Sequence, residues 1–233
     1  MIEIDIHTQP DDITCGPTCL HAVYSYFDYH ISLGKLITEV HNLNKGGTLA
    51  VFLGIDALKR GFHTKIISYN LMVFDPSWKK LSNEKLIAKL HELYEARKGR
   101  KVRTAIKAYI KYLELGGKIV FDMLDDNLFK KYFDQKIPIL TGVSATYLYD
   151  SKREYTDGSE TKYHDILGRP SGHFIVIHGY DKKGNIKVAD PYTDSFRTNK
   201  YYSITPQRLI NSILLGLVTY DANLLVINTE PIE

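Results

Sequence analysis

Residues 9–19 read Q-P-D-D-I-T-C-G-P-T-C and lead into L-H-A-V-Y-S-Y-F, a segment with helical periodicity. The run places a cysteine where a helix begins. Pro17 suits a first helical turn, where the N–H it lacks would have no partner inside the helix. Cys19, Val23, Tyr26 and Phe27 then follow as one apolar stripe. Cys15 is therefore expected at or just before the helix start. Backbone N–H groups there have no intrahelical acceptor, and the helix dipole is at its positive end. A thiolate is an anion that such a place favours, and cysteines so placed ionise well below the free value of about 8.5. The chemistry predicted is nucleophilic attack by sulfur.

A sulfur nucleophile needs a base, and the base needs an orienting group. The candidates lie in G-H-F-I-V-I-H-G-Y-D, residues 172–181, and in I-K-V-A-D-P-Y, residues 186–192. Both runs are rich in β-formers, and D-K-K-G-N between them is a turn, so the pair is expected to form an antiparallel hairpin. His173 begins one strand and Asp190 ends the other, which brings both to one open end. Pro191 holds Asp190 extended, because a residue before proline is pushed out of the α region. Gln9, six residues before Cys15, supplies a side-chain amide where an oxyanion would form.

Gln9, Cys15-Gly16-Pro17, Gly172-His173 and Ala189-Asp190-Pro191, in that order, resemble the papain-like cysteine peptidases. More narrowly, they resemble the bacteriocin-processing (double-glycine leader) peptidases and their stand-alone relatives, over roughly residues 5–70 and 137–229. The resemblance implies an α+β, two-lobe papain-like fold. Its N-terminal helical lobe would hold the nucleophile, and its C-terminal antiparallel sheet would hold the histidine and the aspartate. It also implies roles: Cys15 as nucleophile, His173 as general base, Asp190 as the group that orients it, and Gln9 as oxyanion donor. The reaction would be cleavage of a peptide or isopeptide bond through an acyl-enzyme, with no metal and no organic cofactor. Two other readings use the same residues: an acyltransferase or transpeptidase that resolves the acyl-enzyme with an amine, and a non-catalytic peptide-binding module.

The elements that must position these groups can be read along the chain. A helix is expected over 32–43, capped by Ser32, and another over 48–60, stopped by Gly61. A strand follows at 62–69. Two helical runs, 82–98 and 101–115, make a hairpin in which Lys79 to Lys111 contains eleven basic residues against three acidic ones. A solvated helix face is the plain reading of that excess. An acidic substrate or partner is the other. The hairpin is expected as an insertion, dividing the chain into a helical nucleophile lobe (1–75), a basic helical insertion (76–136) and a β lobe (137–233). A short helix over 125–136, a buried strand over 137–143, a last helix over 205–215 and a strand at 224–227 complete the pattern. Residues 149–172 are polar and are expected as a long loop overhanging the active site.

Bulk properties limit the remaining classes. At 233 residues and 44% hydrophobic, the chain can bury a sizeable core. No apolar stretch approaches the roughly eighteen residues of a membrane helix, and the N-terminus lacks the pattern of a signal peptide. The two cysteines are four apart and poorly placed for a disulfide, which points to a reducing cytoplasm. A net charge of +3 does not suggest nucleic acid as a partner. The histidines show no zinc-ligand grouping. Cys19 is expected in the core, His178 on the sheet face opposite His173, and Asp194 as a weaker rival of Asp190. Of the seventeen tyrosines, Tyr147, Tyr149, Tyr155, Tyr163, Tyr192, Tyr201 and Tyr202 cluster in the second half. Strand and surface packing is their expected role, with an aromatic substrate cleft as the alternative.

Overall fold

A computed structural model describes residues 2–41, 43, 47–157, 160–193, 198–219 and 221–232. Three helices come first: α1 (Cys15–Tyr26), α2 (Leu33–Glu39) and α3 (Ala50–Lys59). The Ser32 hydroxyl accepts from the Lys35 N–H, as an N-cap should. α2 stops at Glu39, short of residue 43, because Val40 turns to extended backbone (ψ 128°). Gly61, at φ +88°, supplies the left-handed residue that lets the chain leave α3. α1 departs from the single apolar stripe. Leu20, Ala22 and Tyr24 are as buried as Cys19 and Val23, so the helix is enclosed on nearly all sides.

Seven strands form one sheet: β1 (His63–Ser68), β2 (Lys118–Val120), β3 (Ile139–Ser144), β6 (Gly172–Tyr180), β7 (Ile186–Ala189), β8 (Tyr201–Ile204) and β9 (Asn223–Asn228). Their order is β2-β1-β9-β3-β6-β7-β8, antiparallel except for the β1–β2 pair. Side-chain alternation divides the core between the two faces of this sheet. Ile66, Leu140, Val176 and Leu225 face a layer built from α1 and α3. Their neighbours Ile67, Ile139, Ile177 and Val226 face a second layer, with Phe129 of α6 (Asp126–Asp134) and Leu209 and Ile213 of α8 (Pro206–Leu215). Both helices are N-capped: Asp125 accepts from the Leu128 N–H and Thr205 from the Arg208 N–H.

Segment 76–136 is built into this core. It contributes β2 to the sheet and the helices α4 (Asn83–Ala96) and α5 (Arg100–Glu114). Val102, Ala105, Ile106, Tyr109, Ile110, Tyr112 and Leu113 of α5 are buried in the same layer as α1 and α3. Each such large side chain contributes about 1.5–3 kcal/mol when taken out of water, so α5 cannot be an independent appendage. Arg103 and Lys107 lie on its outer face, where Arg103 stacks 3.8 Å above the Tyr94 ring.

Residues 149–172 are not the unstructured loop their polarity suggested. They hold a two-stranded ribbon, β4 (Glu154–Asp157) paired with β5 (Glu160–Tyr163), with Glu154 opposite Tyr163. Threonine and tyrosine favour strands, but E-Y-T-D and E-T-K-Y carry no hydrophobic alternation to read. The short strands β2 and β8 and the one-turn helix α7 (Ala145–Leu148) also lacked a sequence signal long enough to read. Among the described residues, no helix is long and apolar enough to cross a membrane.

Candidate active site

Cys15 is the first residue of α1. The side chain of the preceding Thr14 caps no N–H of the helix, so the helix start keeps donors without a side-chain acceptor. Gly16 follows for a steric reason. A Cβ there would lie 2.4 Å from Thr48 Cγ2 and 3.2 Å from a Phe174 ring carbon. Only glycine lets the strand β6 and the approach to α3 close on the start of α1 beside Cys15.

The β6–β7 hairpin forms with Val176 opposite Ala189. His173 is in phase with Ile175 and Ile177, and Asp190 with Ile186 and Val188, all of which point to the α6–α8 layer. The two polar side chains therefore emerge on one face at one end of the hairpin. His173 Nε2 lies 2.8 Å from Asp190 Oδ1, and both side chains are buried. The Cys15 thiol lies close enough to interact with the imidazole. Burial opposes a charged imidazole here, but the Asp190 carboxylate and then Cys15 outweigh it, and the His173 pKa is pushed up to about 10.

Asp190 is held from four sides. The Tyr192 N–H donates to Oδ1 at 2.9 Å, alongside His173. The hydroxyls of Tyr149 and Tyr202 donate to Oδ2 at 2.8 and 2.6 Å. Burial alone would raise this carboxyl. The His173 charge and the hydrogen bonds from His173, Tyr202 and the Tyr192 N–H win, and keep it below the usual carboxylate range. The two tyrosines were not singled out by sequence reasoning. Their only signal was the tyrosine clustering, and Tyr202 sits on β8, a strand too short to recognise. Asp194, the rival carboxylate, lies outside the described residues.

Gln9 reaches the site through its backbone, whose N–H donates to the Pro191 carbonyl at 2.9 Å. Its Nε2 donates to the Asp11 carbonyl at 2.7 Å, which leaves the second Nε2 hydrogen for another acceptor. His178 is on the opposite sheet face, donating from Nδ1 to the Ile2 carbonyl at 3.1 Å, as strand alternation predicted.

Two cavities meet at His173. The first, of about 280 Å³, is bounded by Gln9, Tyr149, Tyr192 and the ribbon residues Glu154 and Tyr163. The second, of about 250 Å³, is bounded by Cys15, Thr48, Val143, Phe174 and Lys101, the point where α5 reaches the cleft. Asp221 also borders it. That buried carboxylate accepts from the Ala50 N–H at 2.7 Å and so holds the start of α3 against the cleft wall.

The two thiols differ in access. Cys15 is nearly buried but lines the second cavity. Cys19 is fully sealed in the core, its Sγ 3.2 Å from the Phe174 carbonyl oxygen, and burial first, then Cys15 and Asp190, push its pKa well up. Iodoacetamide at neutral pH should therefore label Cys15 at least about 100-fold faster than Cys19 in the native protein. Peptide mapping of the adducts checks this, and equal rates at the two positions would contradict the access described.

The family model described as Peptidase_C39 like family matches residues 1–212. No curated protein matches the chain. Among solved structures, a Bacillus anthracis protein described as a C39-like peptidase aligns with a TM-score of 0.50 at 13% identity, covering 100% of this chain and 98% of that one. The peptidase domain of Streptococcus ComA, a bifunctional ABC transporter of a quorum-sensing pathway, aligns with a TM-score of 0.44 at 13% identity, covering 99% of this chain and all of that one. At such identity the first likeness is one of fold. The match over residues 1–212 is what assigns the family: the chain belongs to the Peptidase_C39 like family.

Proposed function

We propose that this C39-like chain is a cysteine peptidase that hydrolyses a peptide or isopeptide bond through an acyl-enzyme. The observation that carries the reading is the buried His173–Asp190 pair, 2.8 Å apart, beside a thiol at the start of α1. The Cys15 sulfur attacks the carbonyl carbon and forms a C–S bond. The oxyanion is met by the second Nε2 hydrogen of Gln9 and by the Cys15 backbone N–H. The His173 imidazolium then gives its proton to the departing amine as the C–N bond breaks, leaving a thioester on Cys15. Water, losing a proton to His173, opens the thioester and releases the acid. Asp190 keeps the ring oriented and balances its charge throughout.

Access favours water as the second nucleophile. Tyr163, at the edge of the first cavity, is about half exposed, so solvent reaches the side of His173 that faces Gln9. Both cysteines are free, which suits a reducing compartment such as the cytoplasm. The test is to incubate the protein with a peptide library, quench in acid and read the mass added at Cys15. An acyl adduct on Cys15 that disappears with time is expected. Turnover with the adduct on another residue, or unchanged in a protein lacking the thiol, would sink the proposal.

A further inference from the structure

The first cavity has a composition that the acyl chemistry does not use. Tyr149, Tyr163 and Tyr192 line it together with two carboxylates, Asp12 and Glu154. Tyr149 and Tyr192 lie nearly parallel, with ring centroids 6.0 Å apart and an interplanar angle of 25°. The Tyr163 and Tyr192 hydroxyls are 3.2 Å apart, which ties the ribbon β4–β5 to the segment after Asp190. Among the described residues, no lysine or arginine lines this cavity; its one basic group is His173 itself. Aromatic faces and carboxylates together attract a cation and repel an anion.

We infer that this cavity is a subsite for a cationic side chain of the substrate, a lysine or arginine close to the bond that is cut. The inference rests on the peptidase reading above and names a preference within it. Glu154 would supply the charge from the ribbon, Asp12 from the turn before α1, and the tyrosines the walls. The ribbon places Glu154 opposite Tyr163, so one element presents both an acid and a ring to the cavity.

The test separates binding from turnover. The Cys15→Ala protein is titrated by fluorescence anisotropy with labelled octapeptides of glycine and alanine that contain a single lysine, leucine or glutamate. The lysine peptide should bind about tenfold more tightly than the glutamate peptide, with the gap narrowing as salt is raised. Glu154→Lys, made in the same protein, should reverse the order. Because the readout is a ratio, a general loss of affinity in the variant cancels. Equal dissociation constants for the three peptides, or an order that Glu154→Lys leaves unmoved, would overturn the inference. Cleavage by the protein with Cys15 intact is followed separately. A charge preference without turnover would refute the peptidase reading alone, and turnover without a preference would refute the subsite alone.

Discussion

Cys15→Ser should lower kcat/KM for peptide cleavage by about 10⁵-fold or more. The substitution changes one atom in a fixed setting, so the fold and the cleft should survive. What changes is the match between nucleophile and base. His173, with its pKa pushed up to about 10, is an imidazolium at neutral pH. It is poised to donate a proton and poorly able to take one. A hydroxyl is a far weaker acid than a thiol and needs a free base to take its proton, which the charged His173 does not supply. The same charge state sets the alkaline limit: cleavage should fall as pH rises through about 10, where His173 loses the proton it gives to the leaving amine. Progress curves for the two proteins on one peptide measure the effect. A serine variant keeping even a hundredth of the activity would exclude sulfur as the nucleophile.

The second large effect is on stability. Asp190→Ala should destabilise the protein by about 3 kcal/mol or more, because four donors lose their acceptor inside a closed site. They are the His173 Nε2–H, the Tyr192 N–H and the hydroxyls of Tyr149 and Tyr202. Asp190→Asn should lose less than half as much. Its oxygen can face His173 and the Tyr192 N–H, while its NH₂ donates to the two phenols, whose hydroxyls rotate to accept. The pH dependence carries a defined sign. The folded pKa of His173 lies above its unfolded value near 6.5, so its share of the stabilisation is complete below about 6.5 and is lost as pH rises through about 10. The folded pKa of Asp190 is depressed, so its share is present above about 4 and is lost as pH falls through the lowered value. Urea denaturation at pH 6 and pH 10 should show the loss in the unaltered protein and little of it in Asp190→Asn. An Asp190→Ala protein of unchanged stability would mean that the four donors find other partners.

Much of the site was legible in the sequence because its signals are local. Thr14 to Pro17 mark a helix start, the D-K-K-G-N turn closes a hairpin, and Pro191 keeps Asp190 extended. Each of these rests on the backbone preferences of a few adjacent residues. Phase along the two strands then put His173 and Asp190 on one face. The tyrosine clamp on Asp190 was not legible. Tyr149 and Tyr202 are 53 positions apart, and only the pairing of β8 with β7 brings Tyr202 to the carboxylate. The burial of the basic hairpin was not legible for a related reason. Charge is counted along the chain, whereas the apolar stripe of α5 shows its importance only once α3 and the sheet cover it.

The amino-acid order alone thus determined which groups could do sulfur chemistry and on which local elements they sit, since turns, caps and strand phase follow from neighbouring residues. Tertiary structure alone decided that a thiol, an imidazole and a carboxylate share one buried corner, and that phenols and acids wall the cleft beside them. Those relations join segments far apart in the chain. They form only when both faces of the sheet are covered and burial shifts the charges that remain inside.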